Sequence, residues 1–381
     1  MDSCMNTIYF FLGIVLTWIV IFAVQIPVRK KNCRLLNAVV LILKLLLIPI
    51  FAIMFIAMEW MITYKYGFLF NAAYIALIGD TAAGVIEYLV SCVRRHKDRD
   101  DKHSKEERPI RDQRLIAIIG IAACIVLTTY GYINSQRFVM KTHEWQAEGL
   151  TREHTFAFVA DIHAGTAQPV ESLHDLCSRI NDADPEFVIL GGDVTDELTT
   201  YEDMISTYEI LSEINAPIYF IYGNHDRQPN ANYYNGRTYT DEQLTESILS
   251  AGITILKDEY AEIADDLMLL GREDYTTAEN RKAWSELSSQ NSSGRALVVA
   301  DHQPYDNEQL EKAEFFLQVS GHTHAGQLFP IQLIYRALGL QAYGEFDYAD
   351  SVLYVSAGAS EWMTPFRTEE HCEWDLITLK P

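Results

Sequence analysis

The sequence predicts two unlike parts: an N-terminal bundle of four transmembrane α-helices over residues 1–133 and, after a linker at 134–153, a layered α/β domain over 154–381. Two patterns and one contrast carry that expectation. Four long apolar runs, 7–26, 35–62, 68–93 and 115–133, dominate the first third. From 155 onward, short apolar stretches alternate with helix-like segments. Up to Ile133 the chain has 15 Lys+Arg against 10 Asp+Glu, and beyond it 15 against 42, so the net charge of -22 belongs to the C-terminal part.

Each apolar run reaches the roughly 20 residues that a helix needs to cross a bilayer core. Residues 1–6 lack the basic start of a cleaved signal peptide, and no small-residue cleavage site follows the first run. Lys44 in the second run and Asp80 and Glu87 in the third are charges that a membrane bundle must pair, or else use in transport or relay. Basic loops stand between runs one and two ("PVRKKNCR") and between runs three and four, where residues 94–114 hold nine Lys+Arg. By the positive-inside rule both loops are cytoplasmic. The expected location is therefore the cell membrane, multi-pass, with the C-terminal domain extracytoplasmic. So acidic a chain has no basic face for nucleic acid.

The α/β expectation rests on stretches such as "TFAFVA", "EFVILG", "PIYFIYG", "RALVVA", "FFLQVSG" and "VLYVSAG", with helical segments between the earlier ones. Such short, continuously apolar runs suit strands buried on both faces. Their ends are polar in a repeated way. "VADIH" ends in Asp161 and His163, "GGDVTD" holds Asp193 and Asp196, and "GNHD" supplies Asn224, His225 and Asp226. "VVADH" ends in His302, and "GHTHAGQ" carries His322 and His324. Ligand sites of open α/β sheets gather beyond the strands' carboxyl ends, so these clusters are expected to converge. Mixed oxygen and imidazole donors suit Mn, Fe or Zn better than Mg or Ca. Asp161, His163, Asp193, Asn224, His302, His322 and His324 are seven donors, which exceed one tetrahedral ion and fit two ions sharing a carboxylate.

In this order and spacing, Asp161-x-His163, Gly192-Asp193-x-x-Asp196, Gly223-Asn224-His225-Asp226, His302 and Gly321-His322-x-His324 resemble the calcineurin-like metallophosphoesterases. "GHTHAGQLFP" and "VSAGASEWMTPFR" further resemble their membrane-anchored YkuE-like and YaeI-like branch. The resemblance implies a four-layer α/β/β/α sandwich and two divalent metal ions. It implies Asp161, His163 and His324 on one ion, Asn224, His302 and His322 on the other, and Asp193 bridging. It also implies a non-ligand His225 beside the leaving group, oriented by Asp226. Asp196 is either an outer partner of a ligand or a turn residue.

The expected function is a membrane-anchored, dinuclear metal-dependent phosphoesterase acting on a phosphomonoester or phosphodiester, lipid-linked or envelope-associated. Arg227 and Arg237 are candidate substrate contacts, and the apolar "LFPIQLIYRALGL" hints at a lipid. The alternative is a membrane sensor or transporter whose outer domain only binds. Cys177 and Cys372 read either as an extracellular disulfide or as two buried thiols.

Overall fold

The computed structural model describes residues 131–227, 238–276, 281–288, 294–305, 309, 315–348, 351–362 and 366–381, with scattered positions before 131. The chain divides into two compact units, Met1–Ile133 and Asn134–Pro381.

The expected bundle of four transmembrane helices is corrected. Among the described residues no helix is long and apolar enough to cross a membrane. Among the described residues of the second unit the longest helices have 11 residues, about 16 Å of rise against a bilayer core of about 30 Å. The runs 7–26 and 35–62, most of the other two, and Lys44, Asp80 and Glu87 lie outside the described residues.

The second unit is built on two six-stranded sheets. The first holds β1 (Phe138–Gln146), β2 (His154–Val159), β3 (Phe187–Leu190), β4 (Ile218–Phe220), β5 (Thr254–Ile255) and β12 (Cys372–Lys380), in the order β1-β12-β2-β3-β4-β5. The second holds β6 (Glu259–Glu262), β7 (Leu267–Gly271), β8 (Ala296–Ala300), β9 (Leu317–Ser320), β10 (Gly344–Asp347) and β11 (Val352–Val355), in the order β10-β11-β9-β8-β7-β6. β2, β3 and β4 run parallel, as do β7, β8, β9 and β11. Parallel neighbours need crossovers, which bring helices onto the outer face of the first sheet.

Those helices are α1 (Leu173–Ala183), α2 (Tyr201–Leu211) and α3 (Asp241–Ser250). α1 turns Leu173, Leu176, Cys177 and Ile180 inward, the spacing of one helix face. Thr200 caps α2 by accepting from the Asp203 N–H, and Thr240 with Gln243 closes a reciprocal capping box on α3. Between the sheets Phe156, Phe158, Ile189 and Ile221 meet Leu267, Leu269, Val298 and Val319. Beyond the second sheet, α4 (Trp284–Ser288) packs Trp284 and Leu287 on Leu270, Val299 and Leu353. The layering is therefore helices, sheet, sheet, helix.

Residues 134–153, expected as a linker, contain β1, which pairs in parallel with β12 along its whole length. Cys177 and Cys372 are both free and buried, so the disulfide alternative does not hold. Burial pushes the Cys177 thiol up to about 12.

Candidate functional site

β2, β3, β4, β8 and β9 each end in a polar turn, and the hydrogen bonds between those turns define one crevice. The Asp161 N–H donates to the Gly192 carbonyl at 2.9 Å and the His163 N–H to the Asp193 carbonyl at 3.0 Å. The Gly321 N–H reaches the His302 carbonyl at 3.0 Å. Asp161, His163, Asp193, His322 and His324 all have positive φ, five of the nine non-glycine cases among the described residues. Left-handed backbone costs an L-residue about 1–2 kcal/mol, and such strain concentrates where side chains must be aimed. Gly223 lets two of these turns close, because a Cβ there would collide with the Asp193 carboxylate.

Two groups of ligand-type atoms result. Asp161, His163 and His324 form one, and Asp193, His302 and His322 the other, with atoms within 4.8 Å of one another in each. His302 Nδ1 faces the Gly191 carbonyl at 2.8 Å and His324 Nδ1 faces that of Ser360 at 3.0 Å. A carbonyl only accepts, so each Nδ1 carries a proton, and in the neutral ring each Nε2 is the atom open to a cation. Those Nε2 atoms lie 3.0 Å from Asp193 Oδ2 and 3.6 Å from Asp161 Oδ1.

Burial and the close approach of carboxylates and imidazoles perturb every titrating group named here. Burial alone would raise Asp193, but the charges of His302 and His225 hold it well below the usual carboxylate range. Burial raises Asp161. Burial works to lower His302, yet neighbouring Asp193 pushes it up to about 10, while burial and the His302 charge take His322 down to about 3. Among the described residues, both nitrogens of His163, Asp193 Oδ2, Asn224 Oδ1 and His302 Nε2 are buried and find no hydrogen-bond partner. Unsatisfied buried polar atoms are costly, and an ion would satisfy this set. The residues therefore fit two divalent cations bound by oxygen and imidazole.

Asp226 binds backbone. Its carboxylate accepts from the N–H groups of Asp193 (2.8 Å), Thr195 (3.0 Å) and Gly223 (2.8 Å), which locks the β3 and β4 turns together. Burial and the Asp193 charge push it up to about 6. The carboxylate against the His225 ring is instead Glu197, with Oε2 2.9 Å from Nδ1. Sequence reasoning missed Glu197; its signal was only one more acid beside Asp196. Asp196 itself lies 3.4 Å from His163 Nδ1 and accepts from the Thr166 hydroxyl at 2.5 Å. Arg227 pairs with Glu273 and stacks 3.9 Å over the Tyr222 ring, which commits its guanidinium to protein groups. Arg237 lies outside the described residues.

Residues 154–326 match the family model of the calcineurin-like phosphoesterases. The domain carrying the site belongs to that family. "Uncharacterized metallophosphoesterase YkuE" of Bacillus subtilis is 28% identical over 301 residues, 71% of this chain and 97% of its own. "Phosphodiesterase YaeI" of Escherichia coli is 27% identical over 205 residues, 49% of this chain and 70% of its own. A "Transmembrane protein with metallophosphoesterase domain" from Danio rerio is 26% identical over 284 residues, 69% of this chain. The chain spans 61% of the length of two Helicobacter pylori relatives and 62% of the Danio rerio one.

Proposed function

We propose that this chain is a metal-dependent phosphoric ester hydrolase whose two metal ions sit in the crevice at the strand ends. The carrying observation is the pair of three-residue ligand groups, with buried donor atoms at the site that nothing among the described residues satisfies. In this reading Asp161, His163 and His324 hold one ion and Asn224, His302 and His322 the other. Asp193 is shared, supported by the charges of both His302 and His163 acting on it. When bound, two such ions would clamp phosphate oxygens and ease deprotonation of a water.

The remaining chemistry falls to side chains. A water oxygen attacks phosphorus as it gives up a proton to solvent, the bond from phosphorus to the leaving oxygen breaks, and the leaving oxygen takes a proton from His225, which solvent then replaces. Glu197 on Nδ1 fixes that ring and stabilises its protonated form. Asp226 keeps the turns that carry Asp193 and His225 in register.

The substrate in this reading is a phosphodiester, supported by the name of the Escherichia coli relative. A lipid-linked substrate is supported by the surface beside His324. There α5 (Ile331–Ala337) and its flanks bury Ile331 but expose Phe329 (49%), Leu333 (51%) and Leu338 (67%). Work at a membrane is supported by that surface, by the apolar first third of the sequence and by the Danio rerio relative's name. The test is hydrolysis of bis(p-nitrophenyl) phosphate and p-nitrophenyl phosphate by the full-length chain, metal-stripped and then given Mn, Zn, Fe or Mg. Turnover that needs metal and is abolished by Asp193→Ala and His225→Ala is expected; a folded, metal-loaded chain that hydrolyses neither ester overturns the reading.

A further inference from the structure

The stretch that follows β11 is fastened to the site at two points. The Ser360 carbonyl accepts from His324 Nδ1 at 3.0 Å and from buried Arg367 at 2.7 Å. Two residues on, a single side chain brackets the backbone of Trp362. Its N–H donates to Gln327 Oε1 at 3.0 Å, and its carbonyl accepts from Gln327 Nε2 at 3.0 Å. Gln327 is 2% exposed and ends "GHTHAGQ", so the motif that supplies two ligand-type histidines also sets where Trp362 stands. Its own carbonyl accepts the Thr368 N–H at 3.0 Å, which closes the clamp from the far side of Trp362.

The clamp sets the indole ring centroid 6.0 Å from that of His225, with the planes 46° apart. Gln327 fixes the Trp362 backbone, and the residue is only half-buried, so part of it is still accessible. An indole beside the imidazole that meets the leaving oxygen borders the space through which the leaving group departs. Its face is apolar and polarisable, and it receives a flat ring in offset or tilted contact without requiring a matched hydrogen bond.

We propose that Trp362, held by Gln327, is the wall of a leaving-group subsite and selects phosphate esters whose leaving group is a flat aromatic or heteroaromatic ring. The inference rests on the phosphoesterase reading above. The test compares full-length wild type, Trp362→Ala and Trp362→Phe, loaded with Mn, on methyl p-nitrophenyl phosphate and on bis(p-nitrophenyl) phosphate. Inorganic phosphate serves as a competitive inhibitor in the same assays. Both esters expel p-nitrophenolate, which needs little help from a proton, so an effect routed through His225 is small here.

Trp362→Ala is expected to lower kcat/KM about tenfold on both esters, chiefly through KM. Trp362→Phe restores most of the loss, and phosphate inhibits all three proteins equally. Loss on the bis ester alone would put the indole against the retained arm and overturn the assignment. Unchanged kcat/KM, or a parallel loss of phosphate inhibition that marks a structural role, would overturn it as well. A wild-type chain that binds metal yet hydrolyses neither ester defeats the phosphoesterase reading, and this one with it.

Discussion

Substituting Gly358 by alanine separates backbone strain from damage to the site. Gly358 has φ +80°, and a Cβ there would lie 2.7 Å from Asp161 Cβ and 2.9 Å from its Oδ2. Ordinary contact begins at 3.4 Å, so Asp161 would have to retreat by about 0.7 Å. It has nowhere to go. Its N–H is bonded to the Gly192 carbonyl at 2.9 Å, its carbonyl accepts from Ser360 at 2.9 Å, and its carboxylate takes the His322 N–H at 3.0 Å. Left-handed backbone costs about 1–2 kcal/mol and overpacking about 1–3, or about 2–5 kcal/mol together. Gly252 is the control, with φ +75° and nothing within 4 Å of its Cβ, so Gly252→Ala carries the strain alone. Thermal unfolding in chelator and bound metal after loading are the two readouts. Gly358→Ala should melt roughly 5–15 °C below wild type and hold less metal, whereas Gly252→Ala should shift by a few degrees at full metal content. Equal behaviour of the two variants, with wild-type metal content in both, would refute the argument that Gly358 exists to seat Asp161.

Other consequences are open to measurement. Glu197→Gln, which keeps a hydrogen-bond acceptor but removes the charge beside His225, should lower kcat by roughly 10- to 100-fold with KM and metal content little changed, read by steady-state kinetics. Raising free metal to about 100 times Kd should stabilise the domain by about 2.7 kcal/mol, seen as a melting point that climbs with metal concentration and is absent in Asp193→Ala. Thr151 donates to Asp266 through its hydroxyl at 2.5 Å and its N–H at 2.6 Å, and with His154 at 2.9 Å this holds Asp266 well below the usual carboxylate range. A depressed folded-state pKa gives stability that is complete above the unfolded value near about 4 and is lost as pH falls through the folded one. Asp266→Asn should therefore lose about 1.5–3 kcal/mol at neutral pH in urea unfolding, with the gap to wild type closing below about pH 4.

Much of the site was legible because strand-end chemistry is local. A continuous apolar run such as "EFVILG" reads as a buried strand, and the polar residue that ends it reads as a donor. The spacing in His322-x-His324 did not show that each ring belongs to a different group; the turn at positive φ does that. What the sequence hid depends on distant pairings. β1, "FVMKTHEWQ", alternates between half-buried and exposed residues and is a strand because it pairs with β12, more than 200 residues away. Glu197 meets His225 across 28 residues, and Gln327 meets Trp362 across 35, with nothing in either stretch to announce the contact. The apolar first third shows the opposite failure. Hydropathy predicts a transmembrane bundle, and the described residues contain no helix long and apolar enough to cross a membrane.

The central claim is a centre of two metals held by two separable groups of side chains. The most direct measurement is the number of metal equivalents retained per full-length chain after loading and dialysis, in wild type, His324→Ala and His302→Ala. The account predicts about two equivalents for wild type and about one for each variant, with hydrolysis lost in both. Wild type that retains none, or a single equivalent that neither substitution removes, would contradict it.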